Sequence, residues 1–272
     1  MSIRLEIPVF GADAALRAVE LGASRIELNA AGSYPDGGLT PSVEDLERIA
    51  NIDIPVRVMI RPRGPLPDSY SRDFIYSEDE FEQMGAAIRK FKKTGVLNEE
   101  RGDGFVFGIL REFPRQELRR SANRADPGPS SWVVDRDRCT RLVTAAYPFK
   151  AVYHRAFDEL VSCKDSGWSS GLDELAACGF DAILTSGGLG NAIQNVTMLD
   201  KIITRAKAPN IEIIIGGGVR RHNIQDISHQ LKLKERGQTA WVHSACLSNV
   251  DSEYIDAEEV AAILAQLKEG NT

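Results

Sequence analysis

Residues Ile3 to Asn29 read IRLEIPVFGADAALRAVELGASRIELN, and this stretch decides the fold. Ile3–Val9 and Arg25–Leu28 are short β-rich apolar runs. Between them, Ala12–Leu21 carries Ala15, Leu16 and Val19 at helical spacing, with Ala23 continuing the stripe. Leu21-Gly22-Ala23 then supplies the glycine that stops the helix before the next strand. The turn out of the first strand reads Pro8-Val9-Phe10-Gly11-Ala12-Asp13. It is neither GxGxxG nor GxxxxGK[ST], the phosphate loops that open doubly wound sheets carry at this place.

The same unit repeats outward from here. Further strands are predicted at Val56–Ile60, Phe105–Leu110, Ala151–Tyr153, Ala182–Leu184, Ile211–Ile215 and Ala240–Val242. A second helix is predicted to open at Pro41, with Thr40 as its N-cap. A third opens at Ser77, three residues before Glu80 in a capping-box spacing, and runs to about Lys93. Later helices are expected at Arg136–Ala146, Gly171–Cys178, Ala192–Ala206, Asn223–Leu231 and Ala257–Lys268. Eight β-then-α units in 272 residues predict an α/β protein, a single (β/α)8 barrel domain over 1–272. The open doubly wound sheet is the runner-up. Residues 112–133 break the rhythm as an Arg-, Pro- and Ser-rich insertion in a βα loop, read as a variable, mobile surface loop or as a lid.

Composition narrows the function. The net charge is −6 and no basic block stands out, which disfavours nucleic-acid and anionic-membrane partners. No apolar run reaches the ~18 residues a transmembrane helix needs. The N-terminus does not read as a secretory signal. Cys139, Cys163, Cys178 and Cys246 are widely spread, the usage of reduced thiols in an intracellular protein. The expected compartment is the cytoplasm, with a nuclear share allowed. Outer helices of such barrels often dimerise, so a homo-oligomer is allowed as well.

In this fold, chemistry sits where strands run into βα loops. Glu6 and Glu27 interrupt apolar strands, and Arg61 follows on the next, so period-two alternation lets all three point inward as a Glu–Arg–Glu cluster. That cluster reads equally as a ligand site or as a buried ion network that fixes register. His154 ends the fifth strand and is the first candidate for acid–base work, with Asp158 placed to orient it or Arg155. Ser186-Gly187 and Gly216-Gly217-Gly218 offer backbone N–H groups to an anion, and read otherwise as tight turns. Arg63 and Ser244 complete the candidate ligand-binding set, and His243 with Cys246 is the candidate metal pair.

Nine segments resemble the CutC copper homeostasis family. They are Arg25-Ile26-Glu27-Leu28, Gly37-Gly38-Leu39-Thr40-Pro41-Ser42, Ile60-Arg61-Pro62-Arg63-Gly64, Phe74-Ile75-Tyr76-Ser77, Gly104-Phe105-Val106-Phe107-Gly108, His154-Arg155-Ala156-Phe157-Asp158, Leu184-Thr185-Ser186-Gly187, Gly216-Gly217-Gly218-Val219 and His243-Ser244. The resemblance implies a cytosolic (β/α)8 barrel associated with copper tolerance and Cu(I) handling. It also implies copper ligation by cysteines near the first two strand ends. Here Pro8 and Asn29 stand near those positions, so the family's thiol site is not reproduced. Two functions follow as expectations. One is Cu(I) handling through Cys246 and histidines at the mouth. The other is an enzyme on a small anionic or phosphorylated metabolite: Gly216 to Gly218 and Ser186 hold the anion, Arg61 and Arg63 supply charge, and His154 with Glu27 moves a proton.

Overall fold

The structure is a computed structural model. It describes residues 3–67, 73–112, 132–163, 167–236, 240–247 and 252–268. Eight parallel strands close into a barrel: β1 (Ile3–Phe10), β2 (Arg25–Asn29), β3 (Val56–Met59), β4 (Gly104–Phe107), β7 (Lys150–Tyr153), β8 (Ala182–Thr185), β9 (Glu212–Ile215) and β10 (Ala240–His243). Strand β1 closes the ring between β2 and β10, with Glu6 opposite both Arg25 and His243. The predicted fold class holds.

One helix explains itself from sequence. The helix Glu78–Lys93 starts in a reciprocal capping box: Glu80 N–H donates to Ser77 Oγ at 3.2 Å, and Ser77 N–H donates to Glu80 Oε2 at 2.7 Å. Phe81, Met84, Ile88 and Phe91 then form its buried stripe at spacings of three and four.

Several boundaries differ from expectation. Ser42, not Thr40, caps the second helix (Val43–Arg48), accepting from Asp45 N–H. Thr40 is drawn away because its hydroxyl accepts from Arg61 N–H at 2.8 Å and donates to Arg61 O at 3.0 Å. The fourth strand ends at Phe107. Leu110–Glu112 is a separate strand, β5, paired antiparallel with β6 (Trp132–Val134) at the root of the insertion. Residues 113–131 lie outside the described residues, and so does most of the stretch read as a loop or lid. Ala156–Ser162, for which no helix is predicted from sequence, forms a short helix that carries Asp158.

The core has two parts. Odd residues of β1, among them Leu5, Ile7 and Val9, join the large apolar layer between barrel and helices. Inside the barrel, Met59, Val106, Val152, Ala182, Leu184, Ile214 and Trp241 form a second cluster. They come from β3 round to β10. The inward positions of β1 and β2 are instead Glu6, Arg25, Glu27 and Asn29, all buried. The barrel interior therefore has a polar wall at β1 and β2 facing an apolar layer from the other strands.

Candidate functional site

Alternation along Arg25-Ile26-Glu27-Leu28-Asn29 sends Arg25, Glu27 and Asn29 inward while Ile26 and Leu28 join the outer layer. Arg25 is the residue that sequence reading missed. Its Nε donates to Glu6 Oε2, its Nη1 to Glu212 Oε1 at 3.0 Å, and its guanidinium stacks 3.7 Å above the Trp241 ring. The signal was present in the two-residue spacing from Glu27.

Glu6 is held from two sides. Burial alone would raise its pKa, but the Arg25 charge and the His243 hydrogen bond bring it down to about 2. His243 Nδ1 lies 2.8 Å from Glu6 Oε1. An ionised Glu6 can only accept, so Nδ1 carries the hydrogen and Nε2 is left for a proton or a ligand. Burial would lower the His243 pKa, yet the charges of Glu27 and Glu6 raise it. Glu27 is raised by burial first and by Glu6 next; Asn29 Nδ2 donates to its Oε1 at 3.3 Å. Glu6, Glu27 and His243 each offer an atom within 4.8 Å of the others, the one such group of three among the described residues.

Arg61 does not join this group. Its Nη2 donates to both oxygens of Asp73 at 2.8 and 2.9 Å, and its Nη1 to the Asp36 and Gly38 carbonyls. The cation that binds Glu6 is instead Arg25, one strand earlier, and its second carboxylate is Glu212 rather than Glu27. Arg63 donates to Glu80 Oε1 at 2.6 Å and to Ile75 O at 2.7 Å, which ties a mouth loop to the capped helix.

His154 reaches the mouth and is buried there. Its ring packs on Phe74 at 4.9 Å, and its Nδ1 accepts from Ala156 N–H at 3.2 Å. Its Nε2 is buried with no partner among the described residues. Burial, and then the Arg61 charge, pushes its pKa down to about 3. The imidazole is neutral, with its hydrogen on Nε2. It is a fixed donor at neutral pH, and Glu27 has His243 rather than His154 beside it.

Asp158 organises the loop after β8. It accepts from Thr185 Oγ1 at 2.5 Å, Ser186 N–H at 3.1 Å, Ser186 Oγ at 2.9 Å and Arg155 Nε at 2.8 Å. Gly187 N–H is used by Thr185 Oγ1 at 2.9 Å. In the next loop Gly217 and Gly218 have φ of +90° and +68°, and a Cβ on Gly217 would lie 2.7 Å from Ser186 Cβ. Glycine is required by both conformation and space. Neither amide finds an acceptor among the described residues. Arg155, its side chain 44% exposed, stands beside them and donates to Ser186 Oγ at 2.9 Å. Ser244 Oγ donates to Val219 O at 2.7 Å and fastens β10 to this loop.

Cys246 is not part of the Glu6–Glu27–His243 group. It belongs to the apolar layer outside the barrel, and burial pushes its thiol up to about 12. Among the described residues no group of three metal-ligating side chains includes a thiol.

The family model described as CutC family matches residues 3–120 and 130–242. The copper homeostasis protein cutC homolog of Homo sapiens is 32% identical over 249 residues, covering 91% of this chain and 75% of that protein. A CutC family protein of Salmonella paratyphi B is 34% identical over 223 residues, covering 82% of this chain and 74% of its own. The crystal structure described as a copper homeostasis protein CutC from Streptococcus agalactiae superposes with a TM-score of 0.67 at 25% identity, over 90% of this chain and 99% of that one. The N-(5'-phosphoribosyl)anthranilate isomerase of Pyrococcus furiosus reaches a TM-score of 0.55 at 13% identity over 98% and 99% of the two chains, a likeness of fold alone. By the extent of the family match and these identities, this chain belongs to the CutC family.

Proposed function

We propose that this chain serves copper homeostasis, the role after which its curated relatives are named, and that copper is handled at Glu27 and His243 inside the barrel. The observation that carries the location is the grouping of Glu6, Glu27 and His243 within 4.8 Å. Glu6 orients His243 through Nδ1, the carboxylate–histidine pairing that metal-ligating imidazoles use. Nε2 and the Glu27 carboxylate are then the donors. Oxygen and nitrogen donors suit divalent copper or zinc better than Cu(I), which favours thiolate. Cys246, with its thiol held protonated, does not fit a Cu(I) site together with His243. Copper enters here as cargo, in a cytoplasmic protein.

The test is a titration of the full chain with Cu(II), Zn(II) and, under reducing conditions, Cu(I). The expected result is stoichiometric Cu(II) binding, weakened at least tenfold in Glu27→Gln and in His243→Gln and unchanged in Cys246→Ser. Binding that survives both barrel variants, or that disappears with Cys246, contradicts the proposal.

The free amides of Gly217 and Gly218 beside Arg155 favour a second reading, an enzyme acting on a small anionic metabolite. In that reading the anion sits on the two amides and Arg155, and Glu27 and His243 exchange a proton with the substrate. The His154 Nε2–H, neutral at working pH, donates to a substrate oxygen as a fixed dipole.

A further inference from the structure

The N-terminal end of the barrel, opposite the mouth, holds a cavity of about 460 Å³. The strand starts Lys150, Glu212 and Ala240 line it, together with Phe180, Ile203 and Leu233. Arg57, the second residue of β3, is one of the lining residues although it is only 6% exposed. Its Nε and Nη1 are sealed from solvent and find no acceptor among the described residues, which leaves Nη2 as the donor that a ligand can meet. The other cations that line it are matched, and so is Arg25 nearby. Arg25 is bound by Glu6 and Glu212, Lys150 Nζ by Asp181 at 2.7 Å, and Arg236 by Asp200.

A buried guanidinium that donates to nothing is costly, and such a group calls for a ligand or an ordered water. The chain also makes room for it. A Cβ on Gly104 would lie 2.5 Å from Arg57 Nη1. The walls beside it are apolar on one side, at Phe180, Ile203 and Leu233, and acidic on another, at Glu212 and Asp181.

We propose that this end of the barrel is a second binding site, for a small monocarboxylate with an apolar body, whose carboxylate is held by Arg57. Arg57 Nη2 can donate a charge-assisted hydrogen bond to one carboxylate oxygen. One unmatched cation balances one negative charge, and the neighbouring acids repel a dianion such as phosphate. The apolar wall takes the body of the ligand, and the volume falls in the range of small-molecule pockets. This site is independent of the copper reading, because none of its residues belongs to the Glu6–Glu27–His243 group.

The experiment is calorimetric titration of the full chain with benzoate, hexanoate and inorganic phosphate, alongside NMR of the Arg57 Nε–Hε signal. One carboxylate is expected to saturate at one equivalent and to move that signal, with phosphate at least tenfold weaker. Arg57→Met is expected to weaken carboxylate binding at least tenfold with an unchanged circular-dichroism spectrum. If Arg57→Met does not fold, the NMR shift in the unaltered chain decides. No saturation by either carboxylate, an unmoved Arg57 signal, or tighter binding of phosphate overturns the proposal. Binding that survives Arg57→Met but falls in Arg155→Gln overturns it too, by placing the ligand at the mouth. So does a crystal grown in benzoate that shows only ordered water on Arg57.

Discussion

His243 Nδ1 and Glu6 Oε1 lie 2.8 Å apart, on strands that the closing of the barrel brings together from opposite ends of the chain. Glu6 also takes Arg25, so one carboxylate neutralises a guanidinium and aims an imidazole.

Removing that carboxylate should therefore do two things. Glu6→Gln leaves Arg25 and His243 without their shared anion, and breaking a buried pair from one side costs about 3–5 kcal/mol. Chemical denaturation measures that loss. The same variant should lower the His243 pKa, because the hydrogen bond and charge that raise it are gone. NMR titration of the imidazole follows the shift.

The pH dependence of stability has a definite sign on each side. Glu6 sits at about 2 when folded against an ordinary 4.5, so its contribution is complete above pH 4.5 and is lost as pH falls through 2. His154 sits at about 3 against 6.5, so stability also falls as pH drops from 6.5 toward 3 and the unfolded chain takes up the proton. His243 is raised, so its contribution is complete below pH 6.5 and is lost as pH rises through its folded pKa. Urea unfolding across pH should show His154→Phe flattening the decline between pH 6.5 and 4.5, and His243→Gln flattening the decline above neutrality.

Thiol labelling separates the four cysteines. Cys139, Cys178 and Cys246 are buried and Cys163 is half-buried. Brief iodoacetamide treatment of the native chain at pH 7, read by peptide mass, should modify Cys163 first. Cys139 and Cys246, whose thiols burial holds protonated, should react only after unfolding.

Gly104→Ala tests a steric requirement at the start of β4. The added Cβ would meet the Lys150 carbonyl oxygen across the strand pair and the Arg57 guanidinium. Backbone cannot yield cheaply there, so a loss of about 1–3 kcal/mol is expected in thermal or chemical unfolding. Gly95→Ala is the contrast in space, since nothing lies within 4 Å of its Cβ, although its φ of +70° still strains alanine.

The barrel was legible because alternation of strand and helix is a periodic signal, and Ile3–Asn29 carries it plainly. The capping box at Ser77 was legible for the same local reason. The site was harder. Glu6 and Glu27 announce themselves as charges in apolar strands, but their partners depend on shear, which pairs Glu6 with Arg25 and His243 across the closure of the barrel. Arg61 has the right period to point inward, yet Asp73 and two loop carbonyls capture it. His154 shows its position in sequence but not its burial against Phe74. The helix that carries Asp158 was missed because a segment as short as Ala156–Ser162 leaves little periodicity to read.

The most direct test of the central claim is anomalous diffraction at the copper edge from crystals soaked in Cu(II). A single strong peak is expected within bonding distance of His243 Nε2 and the Glu27 carboxylate. A peak on Cys246, or no peak in the barrel at full soak, would contradict it.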